Sequence, residues 1–343
     1  MKAAKKSFTL FAVLSVLCGI AAGTLLYINS MTGFDIAIGH FDSTPMFTAM
    51  VGCFIGALAL ALVGALMLVR RASSVRMPKY NFATTATATL AGIVYAATGV
   101  FYGIYPIWVA VAHFAPITDG FVNVVREVAR YLSNGGQLLS VISGLLCFLC
   151  AACFVIFSGE KKTERARASL MIFVVIRALL ESLLIYFDKS RTINSPIKAL
   201  LLFGSVALMM FLCEEIRFYI GNQIAPLYGF FVTVAASVGI AIYVPGTIAA
   251  VMRLLEVPTS YVFGSVEGIY EALGLNIIPM VVGLVVTLFA VVRLCTFGGT
   301  LGEYVPKPKQ DKKSAKAAEA VAAKTAEAVA EIAEEKAETE DKE

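Results

Sequence analysis

The sequence predicts an all-α protein: a polytopic transmembrane bundle of about eight helices, followed by a charged C-terminal tail. Three observations predict it. Of 343 residues 59% are hydrophobic, too large a share for a water-soluble domain to cover with polar side chains. The charged residues, 15% of the chain, fall in short clusters. Between the clusters run apolar stretches of about 20 residues, the length that crosses ~30 Å of hydrocarbon as a helix. These stretches are continuous rather than alternating, which excludes barrel strands.

Hydrophobic spacing places helices at 8–28, 46–69, 86–112, 137–157, 169–187, 198–219, 227–251 and 277–297. The first follows Lys2, Lys5 and Lys6, but its apolar core is longer than that of a signal peptide, so it reads as retained. The third is long enough to tilt or protrude. Pro106 in the third and Pro245 in the seventh are expected to kink the outer thirds of those helices. After the third, Phe121, Val124, Val125, Val128, Tyr131 and Leu132 recur at helical spacing, with Arg126, Glu127 and Arg130 opposite. That pattern predicts an amphipathic surface helix, capped by Thr118 or Asp119, which either lies flat or plugs the mouth of the bundle. Residues 260–273 repeat it with Val262, Val266, Ile269, Tyr270 and Leu273.

That recurrence suggests a transmembrane domain, 1–304, made of two parallel four-helix repeats, 1–160 and 161–304. Ala115-Pro116 and Val257-Pro258 precede the two surface segments, and Ser43-Thr44-Pro45 opens helix two as Asn194-Ser195-Pro196 opens helix six. Residues 305–343 form a low-complexity Ala/Glu/Lys tail. Glycine pairs Gly19/Gly23, Gly52/Gly56 and Gly99/Gly103 are expected at close helix contacts.

Lysine and arginine set the orientation. Arg70, Arg71, Arg76 and Lys79 lie in one loop, Lys161, Lys162, Arg165 and Arg167 in another, and the 29–45 loop has none. The positive-inside rule then puts both termini in the cytoplasm, with 188–198, which carries Lys189, Arg191 and Lys198, as the exception. The tail holds 8 of the chain's 28 basic and 10 of its 24 acidic residues, leaving +6 elsewhere. This excess reads as topology, not nucleic-acid binding. The expected partner is the lipid bilayer, with Lys307, Lys309, Lys312, Lys313 and Lys316 of the tail touching anionic lipid, or the tail docking on a protein.

Charge inside hydrocarbon is costly and marks candidate sites. It is read as confined to helices five and six, in Arg177, Glu181, Glu214, Glu215 and Arg217. Arg177 and Glu181 share a face one turn apart, and a network of Arg177, Glu181 and one helix-six glutamate is expected. It either locks the two helices together or forms an ion, proton or substrate site around Glu181. Asp188 and Arg191 form a small polar site in the outer loop, or merely tie it. Ser195 with Lys198 matches a serine-hydrolase spacing, yet an N-cap with Pro196 at the first helical position explains it better, and Lys198 is expected to snorkel to the interface. Cys147, Cys150 and Cys153 read as packing residues. The chain has only His40 and His113, no zinc motif and no phosphate loop, so no metal, cofactor or enzymatic activity is expected. Tyr95, Tyr102 and Tyr105 give helix three an aromatic face.

Tyr186-Phe187-Asp188, Asn194-Ser195-Pro196-Ile197-Lys198 and Glu215-Ile216-Arg217 make the stretch from Arg177 to Arg217 resemble a group of uncharacterised bacterial multi-pass membrane proteins. The resemblance covers about an eighth of the chain. It implies a bacterial plasma-membrane protein and carries no activity. The function expected from the architecture is a small-molecule or ion transport component. The alternative is a membrane sensor or scaffold acting through its tail.

Overall fold

A computed structural model describes residues 2–35, 39–42, 44–69, 81–117, 120–134, 137–156, 164–188, 195–220, 224–255 and 277–300. Nine helices are present among them. They are α1 (Lys2–Thr32), α2 (Pro45–Val69), α3 (Phe82–Phe114), α4 (Phe121–Asn134), α5 (Leu138–Ile156), α6 (Glu164–Phe187), α7 (Pro196–Ile220), α8 (Ala225–Leu254) and α9 (Ile277–Thr300). All but α4 contain a stretch long and apolar enough to cross a membrane. The chain is therefore a multi-pass membrane protein with an all-α bundle, as its composition requires. Segment 260–273, the loops 70–79 and 158–163, Thr118, Asp119, Arg191 and the tail lie outside the described residues. The near face below is the end of the bundle where α1 begins, and the far face is the opposite end.

Six helices close a ring in which each packs on the next: α3, α5, α6, α7, α8, α9 and back to α3. The pair α1 and α2 packs outside that ring, against α8. Contact on both sides makes α8 the most enclosed span, so a helix of high apolarity and small residues (Gly229, Ala235, Ala236, Gly239, Ala241) occupies the centre. Pairs α1–α2, α3–α5, α6–α7 and α8–α9 recur in both proposed halves, but their surroundings differ. Whereas α8 packs on α1 and α2, its counterpart α3 packs on α5 and α9.

Close approach relies on glycine where the sequence placed it, with one exception. A Cβ on Gly19 or Gly23 would meet the backbone of Ser237 or Ala241 on α8. One on Gly103 would meet Gly144 and Leu145 on α5, and Gly99 lies against the Phe148 ring. Gly52 faces open space and Gly56 has only the Cys18 sulfur near it, so this third pair mediates no close crossing. Hydroxyls add polar links between spans: Ser15 donates to the Ala57 carbonyl at 2.8 Å, and Ser182 and Ser205 join α6 to α7 at 2.8 Å.

Proline acts differently in the two helices expected to kink. α8 remains helical through Pro245. In α3 the six residues Gly99–Ile104, just before Pro106, form a π turn in which the Tyr105 amide bonds Val100 O. A wider turn accommodates the proline ring, which would otherwise clash with a carbonyl one α-turn back.

Two features decorate the far face. A hairpin of Phe34–Asp35 and His40–Phe41 joins α1 to α2, and its turn uses Gly39 at φ 69°, a left-handed conformation that favours glycine. The amphipathic α4 docks on the last turns of α3. Val128 and Leu132 bury against Ala110 and Val141, and Tyr131 meets Phe114 edge-on at 5.8 Å. Phe121 and Val122 at its start remain exposed.

Overpacking at a rigid backbone contact costs about 1–3 kcal/mol. Gly19→Ala is expected to lower the thermal midpoint in detergent micelles accordingly. Gly52→Ala, with open space before it, is expected to stay within about 0.5 kcal/mol of the parent.

Candidate functional site

The intramembrane charges form three separate pairs at two depths. Near the near face, Glu215 of α7 and Arg293 of α9 have fully buried side chains and form a two-pronged bridge. Arg293 Nε donates to Glu215 Oε1 at 2.7 Å and Nη2 donates to Oε2 at 2.9 Å. Tyr228 of α8 donates its hydroxyl to Glu215 Oε1 at 2.5 Å. One carboxylate thus ties three helices together. Beside it, Glu214 Oε1 pairs with Arg217 at 3.0 Å on the same helix, while Glu214 Oε2 is buried without a hydrogen-bond partner.

The third pair sits at mid-span. Arg177 lies eight residues into the span Ser169–Phe187, about 12 Å from its near end. Its Nη1 contacts Glu181 Oε2 at 2.6 Å, and its Nε donates to the sulfur of Cys147 on α5 at 3.2 Å. The Cys147 thiol in turn donates to the Ser143 carbonyl at 3.2 Å, which leaves sulfur lone pairs to receive the guanidinium. Cys147 therefore orients Arg177 as well as packing; Cys150 is buried and donates its thiol to the Phe173 carbonyl of α6 at 3.6 Å, and Cys153 is buried.

Two expectations are corrected here. Neither helix-six glutamate reaches Arg177 among the described residues, because both lie near the near face and each has an arginine closer at hand. Nor is the charge confined to helices five and six: Arg293 of helix eight is the most enclosed cation of the bundle's described core. The signal was legible, since one arginine in a 24-residue apolar helix must find an acid in a neighbouring span.

Above the Arg177–Glu181 pair a cavity of about 440 Å³ extends to the far ends of the surrounding helices. Tyr102 of the π turn, Ser143, Arg177, Glu181 and Tyr243 line its deep part. Leu139, Leu184, Asp188, Lys198 and Met280 line its upper part. Ser143 is 2% exposed, and its hydroxyl has no hydrogen-bond partner. Glu181 is 16% exposed at the side chain, the most accessible of the acids in the three pairs. A narrower extension of about 30 Å³ continues between Glu181, Tyr95, Ser205 and Gly283, room for about one water. The Tyr243 ring lies over Gly283, where any Cβ would collide with it. Of the predicted tyrosine face, Tyr95 stacks on Phe154 at 5.5 Å, Tyr102 lines the cavity, and Tyr105 points outward at 59% exposure.

Lys198 does not snorkel. It is 2% exposed, and its Nζ donates to the Asp188 carbonyl at 2.7 Å. That carbonyl lies just past the end of α6, where unpaired C=O groups and the helix dipole attract a cation. Ser195 Oγ points to the Gly39 carbonyl at 3.3 Å, tying the start of α7 to the hairpin. Asp188 and Lys198 are thus brought to the cavity rim, whereas Arg191 falls outside the described residues.

Below the pair the described core is packed with aromatic rings. Phe154, Phe289, Phe211, Tyr228, Phe297 and Phe8 form a chain of ring contacts, with centroids 4.9–6.4 Å apart, down to the Glu215–Arg293 bridge.

Removing one partner of a buried ion pair costs about 3–5 kcal/mol, because the other charge is left unpaired, whereas apolar replacement of both is far milder. Arg293→Met alone is expected to lose that much in unfolding experiments in micelles. Glu215→Leu combined with Arg293→Met is expected to recover most of it. Comparison of the chain with protein-family models, with curated proteins and with solved structures finds no match in any of the three.

Proposed function

We propose that the protein is a membrane transport component that admits a small polar ligand from the far face to the Arg177–Glu181 pair. One observation carries this reading. The only charges at mid-span among the described residues lie at the bottom of a cavity open towards one face, and a layer of buried aromatic rings separates them from the other. A purely structural ion pair has no need of a cavity. An ion pair in a cavity offers a ligand fixed charges where stray ones cost most. One-sided access to a mid-span site is the geometry that alternating-access transport starts from.

The distribution of lysine and arginine favours the near face as cytoplasmic, so the cavity would open outward. The resemblance of residues 177–217 supports a bacterial plasma membrane. The scaffold reading rests on the tail, which lies outside the described residues.

Cysteine scanning tests the cavity in a parent that keeps the buried Cys147, Cys150 and Cys153 and lacks the other four cysteines. In proteoliposomes, Ser140→Cys and Leu184→Cys are expected to react with a membrane-impermeant thiol reagent added on the far side. Ala290→Cys, buried in the aromatic layer, is expected to stay unlabelled. Unreactive cysteines at both cavity positions would remove the basis for transport.

A further inference from the structure

The inter-helix and the mid-span ion pairs of the bundle core differ in a way that bears on what the cavity holds. In the Glu215–Arg293 bridge both carboxylate oxygens accept an N–H, and Tyr228 supplies a third hydrogen bond. Such completeness suits a pair whose task is structural, since an unsatisfied buried charge is expensive. The Arg177–Glu181 pair makes a single short contact, Nη1 to Oε2. Among the described residues Arg177 Nη2 has no acceptor and Glu181 Oε1 has no donor. Both side chains line the cavity. The pair therefore presents one cationic donor and one anionic acceptor, a few ångströms apart, to whatever enters.

Ser143 adds a second, independent indication. Its buried hydroxyl is without a partner, and it lines the same cavity. It lies four residues before Cys147 on α5, one turn towards the far face, and Cys147 is the group that holds Arg177 Nε. Glu181 likewise stands one turn further towards the far face than Arg177, so the orphan hydroxyl lies at about the depth of Glu181, in the same cavity. Buried hydroxyls left without a partner in a native protein call for an explanation, and a ligand oxygen is one.

The signs of charge narrow the class. A simple cation entering would meet Arg177, and a simple anion would meet Glu181. Each would gain one partner and suffer one repulsion. A ligand with both charges on neighbouring atoms meets neither problem. Above the charges Leu139, Leu184, Leu201 and Met280 form an apolar stretch of the upper wall, with Asp188 and Lys198 at the rim, and about 440 Å³ is enough for an apolar body of several carbons. Resting on the transport reading above, we infer that the cavity binds a small zwitterion of the α-amino-acid type. Arg177 Nη2 and Ser143 Oγ take its carboxylate, Glu181 Oε1 takes its ammonium, and its apolar side chain points towards the far face.

The test is calorimetric titration of the full chain in lipid nanodiscs with leucine and phenylalanine. The controls are two compounds that each keep half of the leucine charge pattern: isocaproate, which lacks the ammonium, and 3-methylbutylamine, which lacks the carboxylate. At least one amino acid is expected to bind at least tenfold more tightly than either control. Ser143→Ala, a change too small to endanger folding, is expected to weaken amino-acid binding about tenfold, and Glu181→Gln to weaken it further. Equal binding of either single-charge control would overturn the zwitterion inference while leaving a ligand-binding transport component in place. So would the absence of amino-acid binding in a protein whose cavity cysteines react from the far side. Cavity cysteines that do not react would instead remove the transport reading and this inference with it.

Discussion

A guanidinium enclosed by protein at the edge of a hydrocarbon layer constrains everything around it. Arg293 has no exposed surface, so its charge must be met within the bundle. Glu215 meets it, and that requires α7 and α9 to stand at a fixed spacing, with α8 near enough for Tyr228 to reach the same carboxylate. Because α8 is also the helix on which α1 and α2 pack, this one carboxylate sets the position of the helix that joins the ring to the outer pair. The aromatic layer fills the space that the bridge defines. Hydrophobic association gives little preference among helices already in lipid, where the surroundings are as apolar as the contact. Charge pairing and close glycine contacts supply the specificity instead.

The mid-span pair follows another logic. It is intrahelical, so it positions no second helix through its own geometry. Its link to α5 runs through a sulfur atom, a soft and weak acceptor. The near end of the bundle is thereby cross-tied by strong directional bonds. The helices around the cavity are held by a thiol contact, a pair of serines and a lysine on a helix end. Strength at one end and looseness at the other match a core packed with aromatic rings on one side and open on the other.

Much of this was readable from residues alone, and the divide between what was and what was not is physical. Eight spans follow from local apolarity, the Arg177–Glu181 pair from a four-residue interval, and the Gly19/Gly23 contact from small-residue spacing. Each is a property of one helix. The partner of Glu215 depends on which helices become neighbours, and periodicity within a helix does not encode that, whereas Glu214 pairs with Arg217 three residues on, an interval its own helix supplies. Arg293 stands alone in its apolar helix, with no acid at helical spacing, and its partner lies on α7. Lys198 lay at a helix start where snorkelling is the common outcome. Its acceptor, the Asp188 carbonyl at the end of α6, lies ten residues back on a different helix, where periodicity within α7 gives no sign of it. Gly52 and Gly56 have the same spacing as Gly19 and Gly23, but Gly52 faces open space and Gly56 only the Cys18 side chain, so an identical pattern carried different meaning.

The π turn of α3 has a consequence for how that helix is measured. Six residues wound more widely than α advance through less rotation, and the segment beyond them falls out of phase by roughly 100°, one residue's worth. Tyr102 and the surface offered to α4 by Ile107, Ala110 and Phe114 therefore answer to different phases of a single continuous rod. The turn behaves as a clutch between two gears: one half of α3 is timed to the ring and the other to the surface helix. Residue count through Gly99–Ile104, more than the identity of any side chain there, keeps the two in mesh.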